Sequence, residues 1–234
     1  MIVQFCIINV YFSVQFCADS VPEPIAFYPL NGESETREIN GRQPKGIVNG
    51  VDPADGRKAR TNGSYRFTSQ AGDSYIEFPN NGGLDVKDSI TILFWMYPQN
   101  TDGPIFKYET RYPWSIHMRM ASGKLLAHFS HRNNEHTPRS RITDQPLPLN
   151  QWHQVGASYD HKTGVASLWL NGKPIKMEQN IGVAMPLATQ DNVILGAKGG
   201  EGPSFQGRVT AMGIFKVALT ENQINAIGKA TQSK

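Results

Sequence analysis

The sequence predicts an all-β fold: two antiparallel sheets packed face to face as a sandwich, closed by one short C-terminal helix. Three observations predict it. Apolar and polar residues alternate over many short runs, which is the periodicity of strands. The runs are separated by turn residues drawn from 22 Gly and 15 Pro, including Asn-Gly pairs suited to tight hairpins. Long stretches rich in Ala, Leu, Glu and Lys are missing, so helices are few. With 234 residues and 39% hydrophobic content the chain can bury one sizeable core, and sandwiches of this length are commonly single domains.

Residues 1–20 stand apart. Ile2 to Cys17 carries no charge, and Ala18-Asp19-Ser20 supplies small residues at an Ala-x-Ser step. This reads as a secretory signal peptide cut near Ser20, leaving a domain over 21–234 that works outside the cell. Lys and Arg are absent after Met1, and Gln4, Asn9, Ser13 and Gln15 dilute the apolar run. The alternatives are an N-terminal strand or the tail of a longer reading frame. The stretch is too short and too polar for a membrane span. Cys6 and Cys17, the only cysteines, both fall here, so the remaining domain rests on its core and not on disulfides. Asn62-Gly63-Ser64 is the one N-glycosylation sequon, which makes Asn62 a candidate attachment site on a surface loop.

The strands follow in order. Ile25 to Tyr28 opens the sandwich, and a polar loop runs from Asn31 to about Thr61. Tyr65–Phe67 and Tyr75–Phe78 are short alternating segments. In Ser89–Tyr97 both alternating sets are mostly apolar, the mark of a central strand covered on both faces. Pro104–Tyr108, Trp114–Met120 and Leu125–Arg132 form a meander, its last two strands joined through Ser122-Gly123-Lys124. A polar excursion from Asn133 to Pro148 leads into Trp152–Tyr159, which pairs back with Val165–Leu170. Asn171-Gly172 then makes a second turn, a dipeptide that tolerates two positive φ values. Val193–Gly196 and Gly207–Phe215 complete the strands. Thr220-x-x-Gln223 is a capping box, and Leu219 with Ile224 has the spacing of a hydrophobic staple, so the helix starts there.

Four of these segments, in this order, carry a family likeness. Asp73-Ser74-Tyr75-Ile76-Glu77-Phe78 and Ser89 to Met96 come first. Asn150-Gln151-Trp152-His153-Gln154-Val155 through Asp160, with Ser167-Leu168-Trp169-Leu170-Asn171-Gly172, makes a central hairpin. Gly207 to Phe215 with Ala218-Leu219-Thr220 closes the set. The chain resembles the laminin-G-like, concanavalin-A-like jelly rolls over about Ile25 to Ile227. The resemblance implies a jelly-roll β-sandwich with Trp95, Trp152 and Trp169 in its core, and a binding scaffold whose ligands vary widely.

The residues test that implication class by class. The net charge of +3 is too near balance to suggest nucleic acid. Relatives of this kind hold calcium through an acidic residue after the Gly-x-Ile/Val of the last long strand. Thr210 stands there, beside Ala211, so no clear calcium ligand set is present and no cofactor is expected; the metal content stays open. Asp73 and Asp160 are turn residues that more often bond local amides. His128 and His131, three apart on one strand, would face opposite ways, and no Cys joins them or His136 in a zinc set. No Ser sits in a Gly-x-Ser-x-Gly elbow. A retaining glycosidase needs two carboxylates about 5 Å apart. Only Glu33 and Glu35 have alternating spacing, and they lie in the polar loop, so the chain reads as no enzyme.

One stretch invites a ligand. His131-Arg132-Asn133-Asn134-Glu135-His136-Thr137-Pro138-Arg139-Ser140-Arg141 gathers three Arg and two His against one Glu. His131, Arg132, His136, Arg139 and Arg141 are therefore the candidate ligand-binding residues, suited to sulfated or carboxylated groups. A solubilising rim is the competing reading. Arg111-Tyr112-Pro113-Trp114 offers a possible aromatic platform. The expected function is a secreted, non-catalytic module that binds an extracellular glycan or matrix protein. The alternatives are a structural component of an extracellular, even calcified, organic matrix and a diverged glycoside hydrolase.

Overall fold

Alternation puts one face of nearly every strand between two sheets. The computed structural model describes residues 21–68, 73–109, 116–133, 141–178, 183–199 and 203–232. Along the chain run β1 (Ala26–Tyr28), β2 (Ile47–Asn49), β3 (Val51–Ala54), β4 (Ser64–Phe67), β5 (Ser74–Phe78) and β6 (Ile90–Pro98). Next come β7 (Gly103–Tyr108), β8 (His117–Ala121), β9 (Lys124–His128), β10 (Arg141–Pro146) and β11 (His153–Asp160). The last are β12 (Val165–Leu170), β13 (Lys173–Glu178), β14 (Val193–Ala197), β15 (Gly207–Phe215) and α1 (Glu221–Gln232). One sheet has the order β13-β12-β11-β6-β15-β4-β3, with β1 also on β15; the other is β10-β9-β8-β7-β14-β5-β2. Every pairing among the described residues is antiparallel, as a jelly roll requires.

The double-faced strand is the centre of the first sheet. Ile90, Ile92, Phe94 and Met96 of β6 point between the sheets, where they meet Phe67, Phe78, Phe106 and Tyr108. Each such side chain, fully buried, contributes about 1.5–3 kcal/mol. Leu93 faces the other way and joins Trp169, Phe215, Leu219, Ile224 and Ile227 in a second cluster under α1. The helix therefore lies on the outer face of this sheet. Its start is the expected capping box: the Thr220 amide donates to Gln223 Oε1 at 2.9 Å and the Gln223 amide to Thr220 Oγ1 at 3.3 Å. Leu219 and Ile224, both buried, close the staple. At the Asn171-Gly172 turn φ is +50° and +80°, the left-handed pair that the dipeptide tolerates.

The structure departs from the sequence reading at the edges and in the tryptophans. The polar loop from Asn31 contains β2 and β3, which form the outermost strands of the two sheets. Its organiser is Glu38, whose buried carboxylate accepts the amides of Phe27, Asn40 and Arg42 at 3.2, 3.0 and 2.9 Å. Part of the polar excursion after Asn133 is β10, and β13 extends the hairpin beyond Gly172. The strand expected to reach Arg132 stops at His128. Trp95 and Trp169 are buried, but on the outer face of the helix-bearing sheet, and Trp152 is only half-buried. Phenylalanine, tyrosine and aliphatic side chains fill the space between the sheets instead.

Candidate functional site

The outer face of the helix-bearing sheet carries a row of polar and aromatic side chains where the jelly roll brings distant segments together. Antiparallel register sets Tyr97 of β6 opposite Arg208 of β15, Arg208 opposite Arg66 of β4, and Arg66 opposite Asp52 of β3. One pleat away, Gln154 of β11, Trp95 of β6 and Thr210 of β15 form the next row on the same face. Trp152 enters just before β11 and packs on Tyr97, ring centroids 5.6 Å apart at 59°. The Arg208 guanidinium lies over Tyr97 at 4.1 Å and near Trp152 at 5.8 Å, and donates to the Asp55 carbonyl at 2.8 Å. That contact fixes the cation over its rings.

Two clefts flank this stack. The smaller, about 350 Å³, is lined by residues including Asp55, Asn62, Arg66, Gln99 and Arg208. The larger, about 430 Å³, lies between the stack and α1, with Arg57, Trp95, Trp152, Gln154, Asn225 and Lys229 in its wall. Arg57 reaches it from the short turn Arg57–Ala59, held where Gly56 and Gly63 pass so closely that a Cβ on Gly56 would lie 2.6 Å from the Gly63 carbonyl oxygen. The residue is 8% exposed, and its guanidinium stacks on Trp95 at 3.4 Å and donates to the Thr231 carbonyl at 3.1 Å. Trp95 Nε1 donates to Thr231 Oγ1 at 2.9 Å, so the ring and the cation both anchor the end of the helix. Burial pulls the Arg57 guanidinium below its ordinary pKa. Among the described residues, the Arg66 guanidinium, Trp152 Nε1 and Lys229 Nζ have no hydrogen-bond or ion-pair partner.

The sequence-predicted basic rim is elsewhere, at the β9–β10 end of the opposite sheet. His136 and Arg139 lie outside the described residues, as do Arg111, Tyr112, Pro113 and Trp114. Arg141 opens β10 opposite His128. His131 is half-buried and its Nδ1 accepts the Asn133 amide at 3.0 Å. Arg132 turns inward: it pairs with Asp85 and donates through Nε to the Leu187 carbonyl at 3.1 Å. The structure thus places three of the five residues, with Arg132 engaged by Asp85 and Arg141 located by its backbone register alone. Asn62 is exposed and stands in the wall of the smaller cleft. Ser64 of its sequon is buried, with its hydroxyl 3.1 and 2.9 Å from the Ala54 and Asp55 carbonyls.

The residues weighed for metal and acid–base chemistry have other partners. The Thr210 hydroxyl donates to the Pro29 carbonyl at 2.9 Å, and the Ala211 amide reaches the same oxygen at 3.0 Å. Asp160 accepts the Lys162 amide and the Thr163 hydroxyl, and Asp73 the Gly199 amide. Among the described residues no three His, Cys, Asp or Glu gather where they could hold a metal ion. Glu33 pairs with Arg60, and Glu35 with Lys45 and Arg37, which lower its pKa. No helix of the described residues is long and apolar enough to cross a membrane.

What the sequence reading missed is the Arg57, Arg66, Tyr97, Trp152 and Arg208 array. A signal was present: Trp95 and Tyr97 share a face of β6, and Arg66 interrupts the apolar Tyr65–Phe67 run. Neither says which strands become neighbours.

Comparison with solved structures finds the same fold in toxin binding domains. The binding domain of Paraclostridial Mosquitocidal Protein 1 is 15% identical at a TM-score of 0.69, over 88% of this chain and 51% of that one. The botulinum neurotoxin serotype D ligand binding domain in complex with N-acetylneuraminic acid is 11% identical at 0.66, over 88% and 50%. The binding domain of botulinum neurotoxin DC in complex with rat synaptotagmin II is 13% identical at 0.67, over 89% and 52%. The chain thus spans about half the length of these structures. No curated protein matches it. A family model does, over residues 70–225, two-thirds of the chain and all four of the segments that carried the likeness. The chain belongs to the concanavalin A-like lectin/glucanases superfamily, in its laminin G type 3 family.

Proposed function

We propose that this chain is a secreted, non-catalytic recognition module that binds an extracellular glycan on the outer face of its helix-bearing sheet. The observation that carries the reading is the Arg208–Tyr97–Trp152 stack between two clefts. Half-exposed aromatic faces suit the apolar face of a sugar ring, and the surrounding amides and guanidinium groups suit its hydroxyls. The array sits on paired strands, so little ordering cost attends binding. Support of a weaker kind comes from the structural neighbours, which are binding domains, one in complex with N-acetylneuraminic acid. Against catalysis stand Glu33 and Glu35, each neutralised by a cation.

Glycan-array screening followed by calorimetry tests the reading. Trp152→Ala is expected to weaken binding by at least about 2 kcal/mol, roughly thirtyfold, as removal of a central aromatic anchor does. Arg208→Ala is expected to weaken it by about 1 kcal/mol through loss of the stacked cation. Because Asn62 lines the smaller cleft, the glycosylated chain and Asn62→Gln are both measured. Binding unchanged in both stack variants moves the site off this face, and no bound glycan overturns the reading.

Secretion rests on the uncharged Ile2–Cys17 stretch and the Ala-x-Ser step. N-terminal sequencing of protein from the culture medium is expected to begin near Val21. Recovery from the cytosol with Met1 intact overturns it.

A further inference from the structure

Among the described residues, Arg57 is a cation buried without an anion. The residue is 8% exposed, yet among the described residues no carboxylate pairs with its guanidinium, whose acceptor there is the Thr231 carbonyl. A guanidinium has five N–H donors, and a buried charge is costly unless it is paired and hydrogen-bonded. The Trp95 ring covers one planar face of the guanidinium, and Arg57 lines the larger cleft. The wall of that cleft reinforces the imbalance. Its charged members are Arg57 and Lys229, both positive, and the rest are Trp95, Trp152, Gly228 and the amides Gln154, Asn171, Asn225 and Gln232.

The amides indicate what accompanies the anion. Gln154 Nε2 donates to the Ile224 carbonyl at 3.4 Å, and Asn225 Nδ2 to the Gly172 and Glu221 carbonyls at 3.1 and 2.9 Å. Asn171 Oδ1 in turn accepts the Gln154 backbone amide at 3.0 Å, so the amides together offer the cleft both donors and acceptors. An inorganic sulfate or phosphate meets only the donors among them. A sugar has hydroxyl donors, a ring that packs on the half-exposed Trp152, and, if acidic, a planar carboxylate for the guanidinium edge.

We propose that the cleft between Trp152 and α1 is an acidic-sugar subsite, in which the edge of Arg57 binds the carboxylate of one sugar unit and Lys229 adds a second positive charge. This rests on the glycan-binding reading and adds the ligand's charge and orientation to it. Lys229 lies in the last turn of α1 and is exposed, so its charge acts on the ligand at no packing cost.

The test uses a hexasaccharide of alternating glucuronate and N-acetylglucosamine, and the same hexasaccharide with its carboxyl groups reduced to alcohols. Affinity is measured on the whole chain by calorimetry at two salt concentrations, with the Trp95 and Trp152 indole N–H signals followed by NMR. The acidic form is expected to bind at least tenfold more tightly, less so at high salt, and to shift both indole signals. Arg57→Lys, which keeps the charge and loses the planar fork, is expected to cut that preference at least fivefold. Lys229→Gln is expected to cut it two- to threefold, and it serves alone if Arg57→Lys fails to fold. Equal affinity for both hexasaccharides, lost together in Trp152→Ala, overturns the acidic subsite and leaves the glycan reading standing. Failure of both to bind removes the two together. Displacement of the sugar by an oligoglutamate peptide of equal affinity overturns the assignment to a sugar.

Discussion

Arg132→Ala is expected to lower the unfolding free energy by about 2 kcal/mol, between the 0–1 of an exposed ion pair and the 3–5 of a buried one. Urea titration at neutral pH measures it. The Arg132 and Asp85 side chains are 18% and 22% exposed, so the pair is largely but not wholly withdrawn from water. The guanidinium also donates to the Leu187 carbonyl at 3.1 Å and lies 3.4 Å from Thr189 Oγ1, which itself sits 2.8 Å from Asp85. Alanine removes the cation and leaves the Asp85 carboxylate and the Leu187 carbonyl short of partners. Most of the cost is that desolvation.

The pH dependence carries the same signature. Burial pushes the Asp85 carboxyl up, but hydrogen bonds from Arg132 and Thr189, with the charges of Arg132 and Lys87, outweigh it and hold the carboxyl below 3.8. A depressed carboxylate pKa contributes stability that is present above the unfolded value and lost as pH falls through the folded one. The difference between the parent chain and Arg132→Ala is therefore full at pH 7 and narrows below about pH 4. A difference that stays constant down to pH 2 counts against the ion pair as its source.

Arg132 also shows where reading the sequence stops. A run from His131 to Arg141 is basic by composition, and composition is legible. The partner that occupies Arg132 is 47 residues away, and nothing local announces it. The fold was more readable than the site for the same reason. β6 declares itself through apolar residues on both faces, the Thr220 box through a fixed spacing, and the hairpin at Asn171-Gly172 through a dipeptide suited to its φ values. Each is a local pattern with a local cause. The short edge strands β2 and β3 have few buried side chains to impose a period, so they read as loop. Trp95 and Trp169 were legible as buried, but alternation alone does not say which face a helix will cover, and Trp152, read as core, is half-buried. The stack is less accessible still. Arg66, Tyr97, Trp152 and Arg208 become neighbours only because β15 inserts between β6 and β4, a crossover no window of sequence contains.

Trp95→Ala is expected to be the most damaging single change on this face, at about 3–5 kcal/mol. The ring is 9% exposed and lies between β6 and the end of α1, so its loss opens a cavity that the paired strand on one side cannot close. Arg57 loses the surface on which its guanidinium stacks, a contact worth about 0.5–2 kcal/mol by itself. Trp95→Phe separates these contributions. It keeps a six-membered ring face for Arg57 and removes the pyrrole ring with its N–H bond to Thr231, whose hydroxyl still lies 2.8 Å from the Ile227 carbonyl. About 1–2 kcal/mol is expected for that variant. Hydrogen exchange locates the damage. In Trp95→Ala the amides of the last two turns of α1 are expected to exchange at least tenfold faster, while those of β6 and β11 keep their relative order of protection. Ile224 and Ile227 remain packed on Leu93 and Phe215, so the first half of the helix holds. If the whole helix and the sheet lose protection together, Trp95 belongs to the global folding unit and the cleft has no separate support. If only the helix end loosens, one indole ring is both the floor of the cleft and the anchor of its wall.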